Sequence, residues 1–412
     1  MADNNTRQPI LSEASERLKK YISVSAGIDA LVSKTKEALS ELREVDTLLT
    51  QIANENEKLS KADLEEIGNR AFDTASKYGK SASDYLTEFQ EASRAGYQNA
   101  AQIAELSLAA QGAGNITGEL ADRFITAADH AYELGGSVSR LTEILDGSFN
   151  ISGRNAVSMT ELAEAMSAAG GQAAELGVSA EETAAVLGTI ISAAHLSGTE
   201  SAEAFGDILL LLQQITDEGK GIDAESLERY EEACRALNVS LRETRNGITS
   251  LRDPMEILKE LSEAYSKLSS NDTRKSNLLD AAGSSANADA LDAVLENYSL
   301  YEKMLAEYAD GAGSMLQKAA QTADSWEGSL NRLSNTWTDT IGNIADSDAV
   351  ITLVNGLNGL LSVVNSMTEK LGSLGTIGIG AGLFAGLKNT GKCRMSVRIS
   401  NTVNCFKYAL FA

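Results

Sequence analysis

A chain of 412 residues, 43% hydrophobic but only 5% aromatic, is long enough for two or three domains, and its few large rings suit slender Ala/Leu helices better than a thick globular core. Lys+Arg of 35 against Asp+Glu of 58 gives a net charge of -23, which argues against sequence-specific or electrostatic binding of nucleic acid, and 2 prolines leave little to interrupt long helices. The opening MADNNTRQPILSEASERLKK has no continuous apolar run behind a basic start and does not read as a secretory signal, while 3 cysteines, an odd count, point to reduced thiols in a cytosol-like compartment.

Residues 1–65 read as an N-terminal long helix. Ile28, Leu31, Thr35, Ala38, Leu42, Val45, Leu49, Ile52, Asn56 and Leu59 alternate spacings of three and four, a repeat of about 3.5 residues. The pattern fits a coiled-coil or hairpin arm and equally one long helix packed on its own domain. It places Asn56 in the seam, where a polar residue tends to fix register. From about residue 66 the chain becomes a series of short Ala-rich helices. Ser81 to Asp84 reads as a helix start, Gly79 and Gly96 as stops, and Gly112, Gly114, Gly118, Gly135-Gly136 and Gly147 as further punctuation. The cadence suggests helical hairpins of about 20 residues per arm, without the strict period of a solenoid.

Ser158 to Ile215 reads as three helices. Ser158 with Glu161 and Ser179 with Glu182 have the spacing of capping boxes, and Gly170-Gly171, Gly177 and Gly198 supply the expected breaks. In the third helix Phe205, Ile208, Leu209, Leu212 and Ile215 recur along one face that must be buried. The stretch VSLRETRNGITSL then sets β-branched residues around Asn246-Gly247, which predicts a small β-hairpin or irregular loop near 239–251. Asp253-Pro254-Met255-Glu256 starts another helix, with Ile257, Leu258, Leu261, Tyr265 and Leu268 as its buried stripe.

Candidates for chemistry are sparse. His130 and His195 sit among alanines with no second histidine or cysteine at helical spacing, and their acidic neighbours Glu133 and Glu200 are weak partners. Cys234, Cys393 and Cys405 are far apart. Gly380-x-Gly382-x-x-Ala385 is a degenerate dinucleotide fingerprint without the acidic residue that would hold the ribose. The expectation is a non-enzymatic protein with no catalytic, cofactor-binding or metal-ligating residues. A helical enzyme would need a convergent cluster of ionisable side chains.

Four blocks stand in order along the chain: SMTELAEAMSAAGGQAAELGVSAEETAAVLGTIISAAHLSGTESAEAFGDILLLL, then LNVSLRETRNGITSLRDPMEILKELSEAYSKLS, then LLDAAGSSANADALDAVLENY, then ADSWEGSLNRLSNTW. In that order they resemble the core region of phage tail tape measure proteins, over roughly Phe72 to Leu387. The resemblance implies a mostly helical scaffold inside the tail tube whose length sets tube length, and which helps the genome cross the host envelope. It also implies tail tube protein, tail assembly chaperones and baseplate or hub proteins as partners, with self-association, and a location in the virion tail after assembly in the host cytoplasm.

Trp326, Leu330, Leu333 and Trp337 share one face of a further helix, read as core packing or as a contact face for a partner subunit. Beyond Ser347 the composition changes. Ala349 to Met367 carries no charge over 19 residues and reads as an amphipathic helix, and the Gly-rich Leu371 to Leu387 carries none over 17. A membrane-active helical protein inserting 349–387 is therefore the alternative reading. No acidic residue follows Glu369, and the basic tail KNTGKCRMSVRISNTVNCFKYALFA departs from the tape measure pattern, which predicts a product truncated or shifted in frame, as in a decayed prophage. The expected organisation is an all-α, elongated array of helical hairpins: 1–65 a long-helix or coiled-coil arm, 66–346 a helical core, 347–387 amphipathic and Gly-rich apolar helices with two uncharged stretches, 388–412 a basic tail, disordered or aberrant.

Overall fold

The first turn of a helix leaves N–H groups without carbonyl partners, and in most of the described helices a short polar side chain at the N-cap accepts from at least one of them. The computed structural model describes residues 40–324 apart from 42, 57–58 and 246–247, together with Asn331 and Asn335. The chain divides into Thr47–Arg332 and a second unit of Met1–Asp46 with Leu333–Ala412. In the second unit residues 43–46 are helical and Val45 is buried.

In the first unit helical residues 47–55 lead to α1 (Lys61–Tyr78), α2 (Ala82–Arg94), α3 (Ala100–Gly114) and α4 (Gly118–Ala131). There follow α5 (Val138–Arg154), α6 (Met159–Glu175), α7 (Ala180–Ala194) and α8 (Gly198–Leu212). A short 3-10 turn at Glu218–Lys220 precedes α9 (Ala224–Ala236) and the strands β1 (Arg242–Arg245) and β2 (Ile248–Leu251). The series ends with α10 (Pro254–Tyr265), α11 (Thr273–Ala281), α12 (Ser285–Glu296), α13 (Tyr298–Ala309) and α14 (Ser314–Ala323). The fold is all-α, with one two-stranded antiparallel sheet among the described residues. Arg242 pairs with Leu251 and Arg245 with Ile248, so the hairpin lies where the sequence placed it.

Capping boxes start α6 and α7 as expected, and Asp253 accepts hydrogen bonds from the N–H groups of Met255 (2.8 Å) and Glu256 (3.1 Å) to start α10. Ile257, Leu258, Leu261 and Tyr265 are the buried stripe of that helix, which ends at Tyr265, so Leu268 falls in the turn beyond it. Gly79 and Gly96 end α1 and the α2 turn with left-handed backbones of φ 69° and 90°.

Several glycines do other work than expected. Gly170-Gly171 lie inside α6 without interrupting it, because their backbones stay helical and burial against α4 and α8 outweighs the roughly 1 kcal/mol that a glycine costs mid-helix. Gly147 is likewise internal to α5, where a methyl would lie 2.5 Å from the Tyr308 ring, so it serves close packing against α13. Gly118 and Gly198 are first residues of their helices, and Gly112 is inside α3. Asn115 (φ 51°) and His195 (φ 57°) take the left-handed conformation that closes α3 and α7.

The expected single apolar face of α8 is also corrected. Ser201, Ala202, Ala204, Phe205, Gly206 and every residue from Ile208 to Leu212 are buried, so α8 is covered nearly all round, by α6, α7 and α12 among others. The helix stops at Leu212, which leaves Ile215 exposed. Asn56 closes the preceding helix instead of continuing a seam: its backbone N–H and its side-chain amide both donate to the Ile52 carbonyl, at 3.0 and 3.2 Å. Glu55 receives Arg94 (2.6 Å) and Gln90 (2.9 Å) from α2, which holds residues 47–55 on the core.

Candidate functional site

Two polar constellations stand out from the apolar packing. The first joins α5 to α13 and α14. The N-cap position of α14 is Gly313, which has no side chain to satisfy the first turn. Asp146, buried in mid-α5, supplies it from 167 residues away, accepting from Gly313 N–H with one oxygen (2.7 Å) and from Met315 N–H with the other (2.9 Å). A carboxylate at a helix N-terminus is favoured by the dipole as well as by the N–H groups. One and two turns further along α5, Asn150 donates to the Glu307 carbonyl and Lys318 to the Phe149 carbonyl, while Asn155 donates to the Glu307 carboxylate. Gly147 and Gly311 let the backbones meet, since a methyl on Gly311 would lie 2.7 Å from the Asp146 carbonyl oxygen.

The second lies between α2, α3 and α4. Glu88 is 5% exposed, and its carboxyl accepts from the buried Ser107 hydroxyl at 2.6 Å. Gln111 donates to that hydroxyl at 3.4 Å, and Asp122 of α4 lies within hydrogen-bond reach of Glu88. Burial and the Asp122 carboxyl raise the Glu88 pKa to about 9, and burial raises that of Asp122 from its ordinary value. The N-terminus of α4 favours the charged form by about 0.3–1 kcal/mol, too little to offset the loss of solvent. The pair therefore holds a proton, with Glu88 donating to Asp122. Further along α4 the buried Asp129 accepts from Gly136 N–H at 2.8 Å and stands beside the Tyr97 phenol, whose pKa burial and Asp129 raise to about 12.

The residues singled out in the sequence are not brought together. His130 is exposed on α4, and Glu133 is exposed in the turn after it with φ 49°. His195 is the exposed C-cap of α7, and Glu200 belongs to the capping box of α8, accepting from Ser197 N–H at 3.0 Å. Cys234 is a buried thiol that desolvation raises to about 12. Among the described residues no group of three His, Cys, Asp or Glu side chains is arranged to hold a metal, and no helix is long and apolar enough to cross a membrane. Cys393, Cys405, Trp326, Leu330, Leu333, Trp337, the Gly380 to Ala385 fingerprint and both uncharged stretches in 349–387 lie outside the described residues.

Asp146 and Glu88 were missed because each sits singly among apolar neighbours. The available signal was phase: Glu88 falls three residues after Tyr85 on a buried face, and Asp146 between Leu145 and Phe149. Acids on the buried stripe of a helix ask for a partner. Both constellations tie helices to one another within an all-α fold. A family model described as phage-related minor tail protein matches residues 68–283, more than half of the chain, and no solved structure matches. The chain belongs to the phage-related minor tail protein family. Its place is therefore the phage tail, in a structural role among the other tail components.

Proposed function

We propose that this protein is the tape measure component of its tail, acting as scaffold and ruler for the tail tube in the tube lumen. The observation that carries the reading is the succession of helices of similar length, α1 to α8, across the family-matched region, most of them joined by tight turns through a left-handed residue such as Gly79, Gly96, Asn115, Gly177 or His195. The order of the four sequence blocks supports it. Laid end to end as one helix, 412 residues reach about 620 Å at ~1.5 Å per residue, the upper limit for a ruler of this length. Tail tube, chaperone and baseplate or hub proteins are then its partners.

Deleting residues 159–194, which hold α6, α7 and the turn between them, in an intact phage and measuring tails by electron microscopy tests this. The ruler reading expects tails shorter by about 54 Å, for 36 residues at ~1.5 Å each, and unchanged tails would overturn it. Within 349–387 the two uncharged stretches, 349–367 and 371–387, favour a second role, contact with the host membrane during genome delivery. Liposome flotation of the chain with and without those residues checks it: flotation that survives their removal counts against the role.

A further inference from the structure

The Glu88 carboxyl is nearly sealed from water, yet among the described residues no lysine or arginine neutralises it. The groups acting on the pair are few. From α2 come Glu88 itself and Glu91, from α3 the neutral Ser107 and Gln111, and from α4 Asp122. Arg123 of α4 turns to a shallow recess with Glu119 and Glu164, and no charged group of α5 or α6 bears on the pair. A methyl on Gly118 would overlap the Glu88 carboxylate, so the first residue of α4 closes directly over the pair. Two carboxyl groups in this contact can share one proton, but they cannot both be charged without either water or a cation reaching them.

We propose that Glu88 and Asp122 form a proton-held clasp between α2 and α4, and that loss of the shared proton at alkaline pH releases α4 from α2 and α3. The carboxyl groups repel once both are ionised, and the least costly relief is to admit water by moving α4, whose other long contact is with α6. The sign follows from linkage. The Glu88 pKa is raised in the fold above its ordinary 4.5, so the clasp is fully present below about 4.5 and is lost as pH rises toward about 9. The pair thus makes one helix of the array separable from its neighbours by pH alone, whatever role the protein has in the tail.

Hydrogen exchange on the full chain tests this, with the amides of Ala121, Phe124 and Ile125 in α4 read against Ala290 and Leu291 in α12 to cancel the intrinsic pH dependence. The expected result is that relative protection of α4 falls at least about tenfold between pH ~6 and pH ~9 in the wild type. In Glu88→Gln, where the amide still donates to Asp122 but does not titrate, the ratio should stay flat, and Glu88→Met, which also removes the titrating carboxyl, serves the same purpose should the first variant fold poorly. A wild-type ratio that does not change with pH, or a fall equally large in a variant, would overturn the clasp.

Discussion

The centre of the molecule and its last helices are held by different means. Around α8 the contacts are mostly apolar and continuous, with a few polar ties such as Gln172 to the Gly206 carbonyl and Asn287 to Asp207: Phe205, Leu209 and Leu212 are sealed. Where α13 and α14 meet α5, the grip is polar and discrete, made by Asp146, Asn150, Asn155 and Lys318 reaching across 152 to 169 residues of sequence. Burial of apolar surface is non-directional and tolerates small shifts, whereas a carboxylate shared between two N–H groups works in one geometry. The first arrangement supplies most of the stability. The second decides where the final helices go.

Two substitutions weigh these claims. Phe205→Ala opens a cavity in the most buried helix, and the expected loss is about 3–5 kcal/mol in urea unfolding, or failure to fold at all. Asp146→Ala leaves the Gly313 and Met315 N–H groups without their acceptor, at about 2–3 kcal/mol, and the damage should be local: α14 amides lose exchange protection while those of α8 keep theirs. Uniform loss across both helices in the Asp146 variant would mean that the two regions unfold as one and that the contrast between them is geometric only.

The same contrast decides what was legible in the sequence. Helix starts at Ser81, Ser158, Ser179 and Asp253 are local chemistry, complete within four residues, and they stand where the spacing put them. The hairpin at 242–251 was legible for the same reason. Gly147 was misread because a glycine that serves close approach and one that serves a left-handed turn are identical in sequence, and only the neighbour, Tyr308, tells them apart; Gly170-Gly171 were misread because a glycine whose backbone stays helical looks the same as one that ends a helix. The Asp146 and Glu88 partners were illegible because they arrive from other helices. Asn56 fitted the heptad by spacing, but spacing does not reveal that the helix ends there.

The smallest effect expected sits at a start that spacing did not flag. Ser197 caps α8 with a full box: its hydroxyl accepts from Glu200 N–H at 3.3 Å, and the Glu200 carboxylate accepts from Ser197 N–H at 3.0 Å and from its hydroxyl at 2.7 Å. The box is exposed, so Ser197→Ala should cost about 1 kcal/mol, far less than Phe205→Ala eight residues along the same helix, and lower the midpoint by about 2–4 °C in thermal unfolding. Its pH dependence runs opposite to that of the Glu88 pair. The Ser197 hydroxyl and N–H hold the Glu200 carboxyl below its ordinary 4.5, so its contribution is present above that value and is lost as pH falls through the depressed one. The difference between wild type and Ser197→Ala should therefore narrow in acid. A gap that stays constant down to low pH would show that the hydroxyl alone makes the cap, and that the start of the most buried helix needs no charge.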